Sequence, residues 1–67
     1  MRSGTLKWFD AKKQFGFIAP TDGGEDVLVR QSSFDAAGMA PVEVGATLQF
    51  NIHRADDGLH AVDLQAG

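Results

Sequence analysis

Short stretches of alternating apolar and polar residues, separated by turn residues, make up most of the 67-residue chain. Leu48, Phe50 and Ile52 alternate with polar residues over one such stretch, which is the spacing of a strand with one buried face. Val27 and Val29 repeat the same period earlier in the chain. The pattern predicts five strands, at residues 4–9, 14–19, 26–30, 46–54 and 59–64.

Turn residues separate the predicted strands and set the fold class. Pro20 lacks a backbone donor and suits the end of the second strand. The Thr-Asp-Gly-Gly run at 21–24 and the Asp-Asp-Gly run at 56–58 both predict tight turns, the second of them a hairpin. Because a flat sheet of this size would leave long open edges, we predict an all-β fold, a five-stranded antiparallel barrel of the OB type.

One long connection, residues 31–45, interrupts this series of short turns. We expect a helical turn over residues 32–37, capped by the side chain of Ser32 or Ser33. A connection of this length is also a candidate hinge for strand exchange. We expect a monomer, and this connection leaves a strand-exchanged dimer as the alternative.

Length and composition indicate a single small domain over residues 1–67. The hydrophobic fraction of 43% and the charged fraction of 22% are ordinary for a globular protein. The chain has no cysteine, so neither disulfides nor thiolate-bound metal stabilise it. No apolar run reaches the roughly 20 residues that span a bilayer, and no signal-peptide pattern follows Met1. We expect a cytoplasmic protein that does not contact membranes.

Charge is distributed unevenly along the chain, whose formal net charge is −3. Residues 1–20 carry four Lys and Arg against Asp10, a net of +3, whereas residues 21–67 carry two Arg against eight acids, a net of −6. An acidic protein with this distribution can still present a basic face. Charge alone leaves chance and a basic face as equal explanations.

The stretch KWFDAKKQFGFI, residues 7–18, holds four of the six aromatic residues and three of the six Lys and Arg. Leu6 and Trp8 share a face in a regular strand, and Trp8 and Phe9 cannot both point the same way. A bulge or a strand end is needed to turn Trp8 toward Lys7.

The faces of the second and third strands can be assigned in two ways. If Ile18 points inward, then Phe15 and Phe17 point outward, and Leu28 and Arg30 do the same beside inward valines. An exposed apolar patch of that kind marks a binding surface. In the alternative the phenylalanines are core residues, which pattern alone favours because phenylalanine is more often buried than exposed.

The motifs at 7–9, Lys-Trp-Phe, and 13–18, Lys-Gln-Phe-Gly-Phe-Ile, resemble those of the bacterial cold-shock proteins and related cold-shock domains. The resemblance covers nearly the whole chain. It implies an OB-type barrel that binds single-stranded RNA or DNA by stacking bases on outward aromatics, and it implies activity as an RNA chaperone or as a regulator of transcription or translation. The binding residues implied by these motifs are Lys7, Trp8, Phe9, Lys13, Phe15 and Phe17.

The sequence departs from the usual family motifs at several positions. Gln14 replaces the glycine of Lys-Gly-Phe-Gly-Phe-Ile. In the second motif, usually Val-Phe-Val-His-Phe-Ser, Leu28, Arg30 and Gln31 replace the two phenylalanines and the histidine, and Met39 follows where many members have another phenylalanine. We expect these four replacements to contact the ligand and to weaken binding. An alternative is a protein-interaction module with little affinity for nucleic acid.

Other polar residues carry weaker signals. His53 and His60 flank the predicted hairpin and can approach each other, but without a third ligand they are interpreted as surface histidines. Asp56 and Asp57 are interpreted as turn residues. No nucleophile, metal cluster or phosphate-binding loop is recognisable. We therefore expect no enzymatic activity, no cofactor and no small-molecule substrate.

Overall fold

The computed structural model describes residues 2–67, which form five strands and one short helix. The elements, in chain order, are β1 (Arg2–Asp10), β2 (Phe15–Pro20), β3 (Val27–Arg30), α1 (Gln31–Ala36), β4 (Thr47–Ala55) and β5 (Gly58–Ala66). All five predicted strands are present, and their ends differ from the prediction by no more than two residues.

The strands close into a barrel in the order β1-β2-β3-β5-β4. The predicted all-β barrel is therefore confirmed. Four neighbouring pairs are antiparallel, whereas β3 and β5 run parallel where Leu28 lies opposite His60. The parallel contact arises because the chain leaves β3 through α1 and adds β4 beside β1 before β5 returns to β3.

A core of nine buried apolar residues fills the barrel. Ile18, Val27 and Val29 are fully buried, so these strands place their aliphatic residues inward and leave Phe15 and Phe17 on the outer face. The first of the two assignments is thus the observed one. The whole core consists of Leu6, Ile18, Val27, Val29, Phe34, Leu48, Phe50, Ala61 and Leu64.

Helix α1 contributes to the core through Phe34, its one buried residue. Arg30 is the N-cap residue, in an extended conformation, and no side chain caps the helix. The predicted capping role of Ser32 or Ser33 is therefore wrong, because the helix begins one residue earlier, at Gln31. The Ser33 hydroxyl instead donates a hydrogen bond of 3.1 Å to the carbonyl oxygen of Ala61, which ties α1 to β5.

Strand β1 contains the predicted irregularity between Leu6 and Trp8. Leu6 pairs with Ile18 and Trp8 pairs with Phe17, so Lys7 is an extra residue on the β1 side of the ladder. A bulge of this kind changes the face on which the following residues lie. As a result Leu6 is buried in the core, whereas Trp8, two residues later, lies on the outer surface.

A glycine is required at position 16 of β2, because the backbone of β1 leaves no room there for a Cβ atom. Gly16 pairs with Phe9, and a Cβ atom on Gly16 would lie 2.7 Å from the Phe9 Cα and would clash with the Trp8 carbonyl oxygen. The Phe9 ring occupies the space that a side chain at position 16 would need. The Phe-Gly-Phe sequence therefore leaves room for Phe9 on the inner side of β2 and places the rings of Phe15 and Phe17 on the outer side.

Gln14, which replaces the family glycine, has a φ of 62° in the turn between β1 and β2. This left-handed conformation costs a residue with a Cβ about 1–2 kcal/mol. Glycine avoids this cost, but its greater conformational freedom stabilises the unfolded chain and offsets part of the gain. We expect Gln14→Gly to raise the free energy of unfolding by about 0.5–1 kcal/mol, measured by urea denaturation. Gln14→Ala, which keeps the strain, should give no such gain. An equal gain from alanine would contradict this explanation.

Candidate functional site

Three aromatic rings from β1 and β2 lie together on the outer face of the barrel. Trp8 and Phe17 have ring centroids 5.9 Å apart at an interplanar angle of 27°. Phe15 meets both rings edge-on, at 5.5 Å from Trp8 and 6.0 Å from Phe17. We call Trp8, Phe15 and Phe17 the aromatic cluster. Trp8 is 43% exposed, an unusual degree for the largest apolar side chain of a small domain.

The outer face continues from the aromatic cluster onto β3. Phe17 pairs with Leu28, and Phe15 pairs with Arg30. Partners across an antiparallel ladder lie on the same face of the sheet, close enough for their side chains to touch. Leu28 is half-buried and Arg30 is exposed. Two of the three replacements in the second motif therefore directly border the rings of the first.

Basic side chains border the aromatic cluster. Lys7 forms an ion pair of 3.2 Å with Asp26, and the two residues line a shallow apolar hollow with Trp8 and Phe17. Both charged groups are largely exposed, and such pairs contribute little to stability. The Lys7 ammonium can therefore leave Asp26 for an anion at small cost. Lys13 is exposed in the turn between β1 and β2.

For three of the predicted site residues the structure shows contacts away from the aromatic cluster. The Phe9 ring is half-buried on the inward side, 5.8 Å from the buried ring of Phe34. Met39 is half-buried and packs against the core. Gln31 begins α1 and donates a hydrogen bond of 3.2 Å to Asp35. Phe9 and Met39 thus have packing roles, and contact of these three residues with a ligand stays a prediction.

His60, which sequence reasoning set aside, lies next to the outer face of β3. Its Cα partner across the parallel contact is Leu28. On its other side His60 pairs with His53 of β4, as the hairpin register implied. The Asp-Asp-Gly turn predicted the approach of His53 to His60, but nothing local to the chain indicates that β5 closes against β3.

A carboxylate accompanies His60. The Nε2 atom of His60 lies 2.8 Å from Oδ1 of Asp57, which belongs to the turn between β4 and β5. The hydrogen bond with His60 holds the pKa of Asp57 below its usual value of 3.8, and the charges of the imidazole and of Arg30 act in the same direction. Asp57 and His60 therefore form a hydrogen-bonded pair next to β3, and the charge of Arg30 adds the smallest of these effects on the Asp57 pKa.

Residues 2–67 contain neither a cluster of metal-ligating side chains nor a membrane-spanning helix. No group of three or more His, Asp or Glu side chains in this range is arranged to hold a metal ion. Among the described elements, no helix has the length and apolar character needed to cross a membrane.

Comparison with known proteins agrees with the geometry. The family model described as the 'Cold-shock' DNA-binding domain matches residues 2–66. The cold shock-like protein CspD of Escherichia coli strain K12 is 41% identical over 61 residues, which cover 91% of this chain and 82% of the relative. The probable cold shock protein A of Mycobacterium tuberculosis is 38% identical over 66 residues and 98% of both chains. Glycine-rich protein 2 of Nicotiana sylvestris is 45% identical over 62 residues, 91% of this chain but 29% of that protein.

The hydrogen bond between Asp57 and His60 predicts a stability difference at low pH. Because the pKa of Asp57 is lowered in the folded state, its contribution is present above the ordinary value of 3.8 and is lost as the pH falls through the lowered pKa. We expect Asp57→Asn to lower Tm at pH 7 and to lose less Tm than the natural protein between pH 5 and pH 2. Thermal melts followed by circular dichroism measure both quantities.

Asp56→Asn is the matched control, because Asp56 belongs to the same turn and is exposed. Its melting temperature should depend on pH as that of the natural protein does. If both variants lose Tm equally on acidification, the acid sensitivity does not come from the Asp57–His60 pair.

Proposed function

The chain belongs to the cold-shock domain family, whose members bind nucleic acid and are not enzymes, and from this premise we propose that it binds single-stranded RNA or DNA. The observation that supports a single-strand ligand is the exposed aromatic cluster. Unpaired bases present π-faces that stack on such rings whatever their sequence, whereas the bases of a duplex are already stacked on one another.

The charges around the cluster suit the backbone of such a ligand. Lys7 and Lys13 lie on either side of the β1 rings along the chain, and Arg30 lies opposite Phe15. Bases stacked on Trp8 and Phe17 would carry their phosphates past these cations. The net charge of −3 does not oppose this arrangement, because the negative charge belongs to residues 21–67.

Because its third strand lacks the usual aromatic residues, we infer that this protein binds single strands more weakly than a family member that has them all. Each base–aromatic stack contributes roughly 1–3 kcal/mol. Leu28 keeps apolar contact and Arg30 can stack its guanidinium plane, so we infer a net loss of about 2–4 kcal/mol, or about 30- to 1,000-fold in affinity. Nanomolar binding to any hexanucleotide would contradict this inference.

Weak, sequence-tolerant binding suits an RNA chaperone. A protein that holds unpaired segments briefly shifts hairpins toward the open strand and releases the strand afterwards. Regulation of transcription or translation through such segments uses the same contacts. We further propose that residues 1–67 act as one domain, which the match of the family model over residues 2–66 supports. We also propose that this domain is a monomer.

The first test uses Trp8, the only tryptophan, as a reporter. Titration with a thymine-rich single strand should quench Trp8 fluorescence saturably, and the matching duplex should not. Affinity should fall with salt as about two to four phosphate contacts require. Phe17→Ala removes the ring beside Trp8 and should weaken binding by about 5- to 150-fold, since one stack is worth about 1–3 kcal/mol.

Val44→Ala is the control, because Val44 is an exposed apolar residue outside the outer face of β1 to β3. Its affinity should match that of the natural protein. No quenching at high micromolar oligonucleotide would overturn the proposal and point to a protein partner for this surface.

A second prediction concerns the two phenylalanines that the third strand has lost. Leu28→Phe combined with Gln31→Phe should tighten binding by at least tenfold, because two stacking surfaces are restored, one of them opposite Phe17. The Trp8 titration measures the gain, and the single substitutions divide it between the two positions. No gain from the double substitution would mean that the third strand does not contact the ligand.

A further inference from the structure

Strand β5 has neighbouring strands on both sides only near its beginning. His60 lies opposite Leu28 of β3, and within residues 2–67 this is the one register pair between the two strands. From Ala61 onward, all register partners of β5 belong to β4. Alternate residues of an antiparallel ladder direct their N–H and C=O groups away from the partner strand. The second half of β5 therefore presents backbone hydrogen-bonding groups on an edge that no strand covers.

Helix α1 lies beside this open edge and leaves a groove between them. The Ser33 hydroxyl donates its hydrogen bond of 3.1 Å to the Ala61 carbonyl oxygen, which fixes the helix at the start of the open edge. Beyond that contact the groove has a volume of about 520 Å³, within the range of ligand-binding clefts. One wall is residues 62–65 of β5, and the other consists of Ser32, Ser33, Ala36 and Ala37.

A bulge shapes the β5 wall of the groove. Gln49 pairs with Gln65 and Asn51 pairs with Val62, so β5 has one residue more than β4 between these pairs. Asp63 lies within this bulge with a φ of 53°. The amide nitrogen of Asn51 donates a hydrogen bond of 3.0 Å to Oδ2 of Asp63. The bulge and this hydrogen bond hold an exposed carboxylate at the groove.

We propose that this groove binds an extended, cationic peptide segment of a partner protein, which adds to the open edge of β5 as a further strand. Backbone hydrogen bonds to β5 supply the affinity in this mode of recognition, and alternate side chains supply the specificity. One row of peptide side chains meets the apolar lining from Val62 and Ala36, and the other reaches Asp63. The groove shares no residue with the aromatic cluster, so this inference does not rest on the proposed function.

Charge determines which class of peptide fits. Helix α1 and β5 together carry two acids, Asp35 and Asp63, and neither element contains Lys or Arg. No cation of residues 2–67 forms an ion pair with Asp63. A second copy of the chain joined through the same edge would bring two Asp63 carboxylates together, which like-charge repulsion opposes. Lysine or arginine in the peptide is complementary to this surface.

The test is an NMR titration of the ¹⁵N-labelled protein with an acetylated and amidated hexapeptide of alternating lysine and valine. We expect saturable shifts centred on the backbone amides of α1 and of residues 61–66. Glutamate in place of each lysine should weaken binding by about two- to thirtyfold, as expected when attractive surface charge pairs become repulsive. Proline in place of each valine removes backbone donors and should abolish binding.

Asp63→Asn tests the carboxylate without changing the bulge. Asparagine tolerates the left-handed conformation and can still accept the hydrogen bond from Asn51, so this substitution removes little besides the charge. We expect it to weaken binding of the lysine peptide by about 1.5- to fivefold, the effect of one exposed charge pair. Asp56→Asn is the matched control, because Asp56 is exposed and lies outside the groove. Equal effects of the two substitutions would overturn the role of Asp63.

Ala36→Leu tests the groove itself. Ala36 is an exposed lining residue of α1, and leucine is also a good helix former, so the larger side chain fills the groove while the helix is kept. We expect it to weaken peptide binding by at least tenfold. Ala55→Leu makes the same change at an exposed position outside the groove and should leave the affinity unchanged.

Three results would overturn the proposal. The first is the absence of shifts at millimolar peptide, and the second is a set of shifts centred on the aromatic cluster. The third is a set of groove shifts that depends on protein concentration without peptide, which would assign the edge to a second copy of the chain. Titration of Ala36→Leu with the thymine-rich strand keeps the two functions separate, because its nucleic-acid affinity should match that of the natural protein.

Discussion

One extra residue in β1, Lys7, decides which side chains this barrel buries and which it exposes. If Lys7 continued the strand as a regular residue, Leu6 and Trp8 would lie on the same face. With the bulge at Lys7, Leu6 meets Ile18 in the core and Trp8 meets Phe17 on the surface. A nine-residue strand thus supplies both the interior and the outer face, so neither has to be built from a separate element.

The bulge also explains why a glycine lies between the two phenylalanines of β2. Phe9 lies inward after the bulge and pairs with Gly16, where no Cβ fits. Its ring packs edge-on against Phe34 of α1, which joins the helix to the strands beneath the aromatic cluster. The packing of Phe9 and Phe34 inside the barrel therefore supports the strand that carries the outward rings of Phe15 and Phe17.

Local pattern was sufficient for the strands, and it failed where distant parts of the chain meet. Alternation located all five strands and placed Val27 and Val29 inward. It could not decide whether Phe15 and Phe17 face outward, because phenylalanine is more often buried than exposed. Only the family resemblance, which implies that these rings bind bases, favoured the outward assignment. The place of His60 beside β3 depends on how the barrel closes, and no pattern within one segment carries that information.

The placement of three rings on the outside has a thermodynamic consequence. Half of the six aromatic residues, Trp8, Phe15 and Phe17, contribute contact to one another but not to the interior. A domain of this length buries only about 60% of its unfolded surface and has little stability in reserve. Any ligand that covers the rings binds the folded chain alone and so stabilises it by mass action. Under the proposed function, the population of folded protein would follow the supply of unpaired nucleic acid, and resistance to proteolysis would rise and fall with it.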